Sequence, residues 1–113
     1  MIIILIRKMI MLVLVFYVPD THLDKVKAAL FNAGAGKIGK YSKCCWQIRG
    51  EGQFMPEEGS VPYIGAKGTI SKVGEYRVEM VCRNEDAEKV KKALLDVHPY
   101  EMPAYHFLET KDI

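Results

Sequence analysis

The amino-acid sequence predicts an α+β domain built from two strand–helix–strand units, and three observations carry that prediction. Ile10 to Val18 is an unbroken apolar run rich in β-branched and aromatic residues, the pattern of a strand covered on both faces. Leu23, Val26, Leu30 and Ala33 recur at helical spacing, and Ala87, Val90, Ala93, Leu94 and Val97 do so again further on. The two helical segments are also near copies: Asp24-Lys-Val-Lys-Ala-Ala-Leu30 matches Glu88-Lys-Val-Lys-Lys-Ala-Leu94 at an offset of 64 positions, and the same offset places Val15–Val18 on Glu79–Cys82.

The elements follow in order. Pro19 ends the first strand, Asp20 and Thr21 supply N-cap chemistry for the first helix, and Gly34 closes that helix. Cys44 to Arg49 alternates as a strand, with Cys44, Trp46 and Ile48 on one face and Cys45, Gln47 and Arg49 on the other. Gly50 to Lys67 holds several glycines with Pro56 and Pro62, and reads as an extended excursion carrying a short strand at Gly52–Met55. Thr69 to Cys82 alternates again, with Tyr76, Val78, Met80 and Cys82 pointing one way. Asn84 is expected to cap the second helix, with Glu85 and Asp86 favourable at its positive end. His98 to Pro103 reads as a turn, and Ala104 to Leu108 as a last short strand.

Two such halves make a split βαβ, or ferredoxin-like βαββαβ sandwich, with extra short strands, in which two helices cover one face of an antiparallel sheet. The other face stays open. Because the first strand is apolar on both sides, that open face needs a partner, which predicts a homo-oligomer packed sheet against sheet.

Size and composition bound the function. At 113 residues, 50% hydrophobic and 27% charged, the chain is one domain able to bury a core without disulfides. A net charge of +2 is too small to imply a nucleic-acid or anionic-membrane partner. Three cysteines, two of them adjacent, form no disulfide framework and fit a reducing, cytoplasmic setting. The apolar N-terminus is interrupted by Arg7 and Lys8, each costing about 2.5–3.5 kcal/mol in lipid, and it lacks the layout of a signal peptide. Residues 1–8 are therefore read as an N-terminal extension, with Met9 or Met11 as candidate start positions, and 9–113 as a single domain.

Several motifs carry candidate chemistry. Gly34-x-Gly36-x-x-Gly39 spells a dinucleotide fingerprint, but a helix precedes it, so it faces the negative end of a helix dipole and is read as a cap and turn. Lys37, beside Lys40 and Lys43, is a candidate anion contact. Cys44 and Cys45 are neighbours in a predicted strand and point to opposite faces, so both gripping one ion would need a distorted backbone. His98 and Glu101 lie three apart in a proline-bracketed turn, and imidazole with carboxylate can ligate a divalent metal ion such as Zn²⁺ if His22 and Cys45 join them. The simpler reading has Pro99 and Pro103 stiffening the turn while Glu101 accepts backbone N–H bonds. Trp46, Phe54, Tyr63 and Tyr76, with Tyr100 of the turn, are candidates to wall a cleft for a planar ligand near the glycine-rich excursion. No nucleophile–base arrangement is visible.

The segments Val15-Phe-Tyr-Val-Pro-Asp-Thr-His22, Gly34-Ala-Gly-Lys-Ile-Gly39, Cys44-Cys-Trp-Gln47, Gly52-Gln-Phe54, Tyr76-Arg-Val-Glu-Met80 and His98-Pro-Tyr-Glu-Met-Pro-Ala-Tyr105 together resemble a PII/CutA-like domain. The pattern is similar to the PII-like insert domain of the Nif-three-like dinuclear-metal proteins and to its stand-alone versions, from about Leu12 to Leu108. Where that family often has an acidic residue and a histidine before the cysteine pair, Ser42 and Lys43 stand here, and Met102 replaces a usual second glutamate. The family's two-metal site belongs to flanking domains that are expected to be absent here. The resemblance implies the fold, oligomerisation and a non-catalytic ligand-sensing or regulatory role at a subunit cleft. The alternatives are metal binding through the His-Pro-Tyr-Glu turn and a hydrolase or cyclohydrolase-like activity by analogy with the larger relatives. Docking onto a separate metalloprotein is a further partner expectation.

Overall fold

A computed structural model describes residues 11–111 and 113. The extension assigned to residues 1–8, and the candidate start at Met9, lie outside the described residues. The described chain runs β1 (Met11–Pro19), a 3₁₀ turn (Asp20–His22), α1 (Leu23–Asn32), β2 (Trp46–Phe54), β3 (Ser71–Arg83), a second 3₁₀ turn (Asn84–Asp86), α2 (Ala87–Val97) and β4 (Tyr105–Glu109). The strands form one antiparallel sheet in the order β2-β3-β1-β4, the ferredoxin-like arrangement of two interlocked βαβ halves.

The core lies between the sheet and the two helices. Leu14, Phe16 and Val18 of β1, Val78, Met80 and Cys82 of β3, Val26 and Leu30 of α1, and Val90 and Leu94 of α2 are buried together. Period two on the strands and period 3.6 on the helices put each of these side chains into the same layer. Burial pushes the Cys82 thiol up to about 11, with Asp86 adding to the effect, which marks it as a packed, unreactive group. The opposite sheet face carries Trp46, Ile48 and Leu108, each more than half exposed.

Four local expectations are corrected. The glycines at 50 and 52 do not interrupt the second strand: the short strand expected at Gly52–Met55 is the continuation of β2, which pairs with β3 from Trp46 through Phe54. Within the ladder, Glu75 lies against the bare Cα of Gly52, and the Arg49 side chain lies against that of Gly74 on β3. Cys44 and Cys45 precede β2 instead of alternating within it; the Cys44 amide bonds Gly36 O at 2.8 Å, tying it to the loop after α1. Neither Asp20 nor Thr21 makes a side-chain cap on the first helix, and neither Asn84 nor Asp86 makes one on the second. The carboxylates have stronger partners: Asp20 binds Arg49 at 2.8 Å, and the buried Asp86 binds Arg83 at 2.9 Å.

Gly34 does close α1. It adopts φ +116°, its amide bonds Phe31 O at 3.1 Å, and the Ala35 amide bonds Leu30 O at 3.0 Å. This is the Schellman pattern, which needs a left-handed residue at the first position beyond the helix. Gly36 and Gly39 also take positive φ, so the glycine triplet is a helix exit. Among the described residues no helix is long and apolar enough to cross a membrane.

Candidate functional site

The site is built by the connections at one end of the sheet. The turn after α2 begins at His98, which is buried. Its Nδ1 accepts the Tyr100 backbone N–H at 3.1 Å, and its Nε2 lies 2.6 Å from the Tyr17 carbonyl. A backbone amide can only donate, so Nδ1 is bare and Nε2 carries the proton that Tyr17 O accepts. Burial lowers the His98 pKa, with the nearby His22 pushing the same way against the Tyr17 hydrogen bond. The imidazole is thus a neutral strut between the turn and the end of β1.

Three residues on, Glu101 Oε2 accepts the backbone N–H of Val61 at 2.7 Å. This bond ties the turn to the long β2–β3 connection. The connection has its own folds, with Gly68 N on Pro56 O at 2.8 Å and the Ser60 hydroxyl on Glu57 O at 2.6 Å. Between the turn, the connection and the sheet lies a cleft of about 470 Å³, within the range of small-molecule sites. Tyr17, Phe54, Tyr63 and Tyr100 contribute aromatic surface, while Pro56, Pro62, Ile64, Met102 and Ala104 line the apolar remainder. The rings form a chain: His98 to Tyr100 at 4.9 Å, Tyr100 to Phe54 at 6.2 Å, Tyr100 to Tyr63 at 6.3 Å, and Tyr63 edge-on to His22 at 5.8 Å.

One polar group beside this cleft lacks the partner that a folded protein normally supplies: the Tyr100 hydroxyl is buried with no hydrogen bond among the described residues. Its pKa is raised, first by burial and then by the negative charge of Glu75 and by Tyr63. Glu75 also lines the cleft and pairs with no cation among the described residues; burial raises its pKa too. Arg77, next on the same strand face, is turned to Glu79 at 3.1 Å and stacks over Tyr17.

Of the ligand-contact candidates, the structure brings Phe54, Tyr63 and Tyr100 together and leaves three outside. Tyr76 packs against the core beneath the helices. Trp46 stands exposed on the open sheet face, at the other end of β2. Lys37 lies in a separate groove with Lys27, Lys43 and Phe31 beside the C-terminal end of α1. The four candidate metal ligands are not assembled. Both His98 nitrogens and Glu101 Oε2 bind the backbone, His22 Nδ1 lies 2.9 Å from the Thr21 hydroxyl, and Cys45 is exposed in the loop before β2. Among the described residues no group of three His, Cys, Asp or Glu side chains is placed to hold a metal ion.

Sequence reasoning missed Tyr17 and Glu75. Tyr17 was masked by its apolar run, where a lone polar-tipped aromatic is the available signal. Glu75 falls, with Arg77 and Glu79, on the other side of the alternation that carries Tyr76 and Val78. Its signal is Gly52, the glycine that frees space for its side chain on the neighbouring strand.

No protein-family model matches the chain. The GTP cyclohydrolase 1 type 2 homolog of Mycobacterium leprae is 48% identical over 91 residues, covering 80% of this chain and 24% of that protein. Among solved structures, the Bacillus cereus protein related to NIF3 superposes with a TM-score of 0.79 at 38% identity, covering 91% of this chain and 26% of its own. The PII-like protein CutA from Nostoc sp. PCC 7120 in apo form shares the fold at 15% identity and a TM-score of 0.62, covering 88% of this chain and 80% of its own. The chain therefore spans about a quarter of the length of the curated relatives it matches and most of the CutA fold. It has the PII/CutA-like fold, and it is similar to a segment of about a quarter of the length of the NIF3-related proteins.

Proposed function

We propose that this domain is a non-catalytic binding module that takes a small molecule in the cleft between the His98–Ala104 turn and the β2–β3 connection. The observation that carries this reading is the preformed cleft of about 470 Å³ walled by Tyr17, Phe54, Tyr63 and Tyr100. A concave, mostly apolar space with a few polar groups is the usual form of a small-molecule site. No histidine lines the cleft, and His98 has both nitrogens committed to backbone, so the site holds and orients a ligand without a free imidazole base. The name GTP cyclohydrolase belongs to chains four times longer, and the reading for this segment is recognition rather than turnover.

The module works as a homo-oligomer in this proposal. Trp46, Ile48 and Leu108 are 55%, 54% and 52% exposed on the sheet face away from the helices, and such apolar surface is removed from water when a second copy packs on it. Native mass spectrometry of the protein as purified from cells, without chelators, tests both parts. An oligomer carrying a stoichiometric small-molecule mass is the expected spectrum. A bare monomer at micromolar concentration would overturn the oligomer, and a cleft that stays empty against a metabolite extract would overturn the ligand.

A further inference from the structure

The cleft has a sign. Among the described residues, every charged side chain that lines it is a carboxylate, Glu75 or Glu101, and no lysine or arginine does. Glu101 spends one oxygen on the Val61 amide. Glu75 spends neither on a cation among the described residues. The arginine nearest in sequence on its strand face, Arg77, is already engaged by Glu79 and by the Tyr17 ring. The lysines that could receive an anion, Lys27, Lys37 and Lys43, line a different groove beside α1. A phosphate or carboxylate entering the cleft would meet uncompensated negative charge in a partly desolvated space, where such repulsion is weakly screened.

The shape adds to the charge. Phe54, Tyr63 and Tyr100 offer ring surfaces for a flat ligand, and these rings also favour a cation over an anion at their faces. Glu75 offers two oxygens in one plane, the geometry that accepts two parallel N–H donors.

Building on the cleft reading above, we infer that the ligand is a planar, nitrogen-rich heterocycle presenting an amidine- or guanidine-type pair of N–H donors to Glu75, and that anionic ligands are rejected. The selectivity resides in Glu75, with the Tyr100 ring as part of the wall against which the flat ligand packs. The glycine at position 52 is part of the device, because a Cβ there would collide with the Glu75 carboxylate.

The test uses two bicyclic probes of matched shape and opposite charge, 2-aminobenzimidazole and indole-2-carboxylate, with neutral indole as reference. Binding to the full chain is followed by amide chemical shifts and calorimetry. The expected result is that 2-aminobenzimidazole binds tightest, perturbing residues around Phe54, Tyr63, Glu75 and Tyr100. Glu75→Gln keeps the shape and removes the charge, and should weaken that probe about tenfold or more while leaving indole within about twofold. Tyr100→Phe should weaken it less, with the folded state unharmed. Indole-2-carboxylate binding as tightly as the amidine probe, or a preference unchanged in Glu75→Gln, would overturn the ligand class while leaving the cleft as a binding site. Silence at the cleft from all three probes would overturn the class, and the native mass spectrum above decides independently whether the cleft binds anything.

Discussion

The two halves of this domain are near copies through strand and helix and then part company. Leu30 of α1 and Leu94 of α2 occupy equivalent repeat positions, and both are fully buried. After α1 the chain leaves by the Gly34 Schellman turn and a lysine-bearing loop beside an open groove. After α2 it leaves by His98, whose backbone is extended at φ −64° and ψ 134°, and enters a turn held to β1 and to the long connection. The repeated parts carry stability, because packing repeats when the periodicity repeats. The connections supply most of the candidate cleft, which Tyr17, Phe54 and Glu75 of the strands complete.

Equivalent core substitutions test that division with the largest effect. Leu30→Ala and Leu94→Ala should each cost about 2–5 kcal/mol in denaturant unfolding, as buried leucines generally do. The two losses should agree within about 1 kcal/mol if the helices are equivalent in packing as well as in sequence. A large asymmetry would mean that one half is the structural anchor for the other.

Next comes the strut. His98→Ala leaves the Tyr17 carbonyl and the Tyr100 amide without their partner, and should cost about 1–3 kcal/mol. The wild type should also lose stability on acidification. The unfolded chain binds the His98 proton near pH 6.5, whereas the fold holds this pKa lower. The stabilisation is therefore complete above about pH 6.5 and drains as pH falls from there toward the folded value. His98→Phe should remove that part of the slope when unfolding is compared at pH 7 and pH 5; an unaltered slope would show that another group titrates.

At the other exit, Gly34→Ala places a side chain at φ +116°, 3.2 Å from the Asp86 carboxyl. It should cost about 1–2 kcal/mol, measured by thermal unfolding, with no change in affinity for any ligand of the cleft. The smallest stability effect should come from Glu101→Ala, below about 1 kcal/mol because the bond to Val61 is exposed. Its signature should instead be faster amide exchange at Val61 and weaker binding in the cleft.

The repeat, both helices, the four strands and the open apolar face were legible because burial writes a period into the sequence. The aromatic candidates Phe54, Tyr63 and Tyr100 were legible for a related reason: large rings flank a connection longer than a hairpin needs. The strand boundaries at Gly50 and Gly52 were not, since glycine reads as a break and only the folded register shows Glu75 filling the space beside it. The caps at Asp20 and Asn84 misled because propensity knows nothing of Arg49 arriving from 29 residues away. Trp46 and Lys37 fell outside the cleft since sequence proximity to the excursion does not decide which end of β2 a residue occupies. His98 and Glu101, offered as metal ligands, have polar atoms bonded to the backbone, as the simpler reading of the proline-bracketed turn expected for Glu101.

The most direct test of the cleft is a fragment screen by amide chemical-shift mapping on the whole chain. The predicted result is that hits cluster on residues 53–64, Glu75 and 98–104, in proportion to their fit to the aromatic wall. Hits confined to the lysine groove beside α1, or scattered without preference over the open sheet face, would contradict the assignment of function to the second exit.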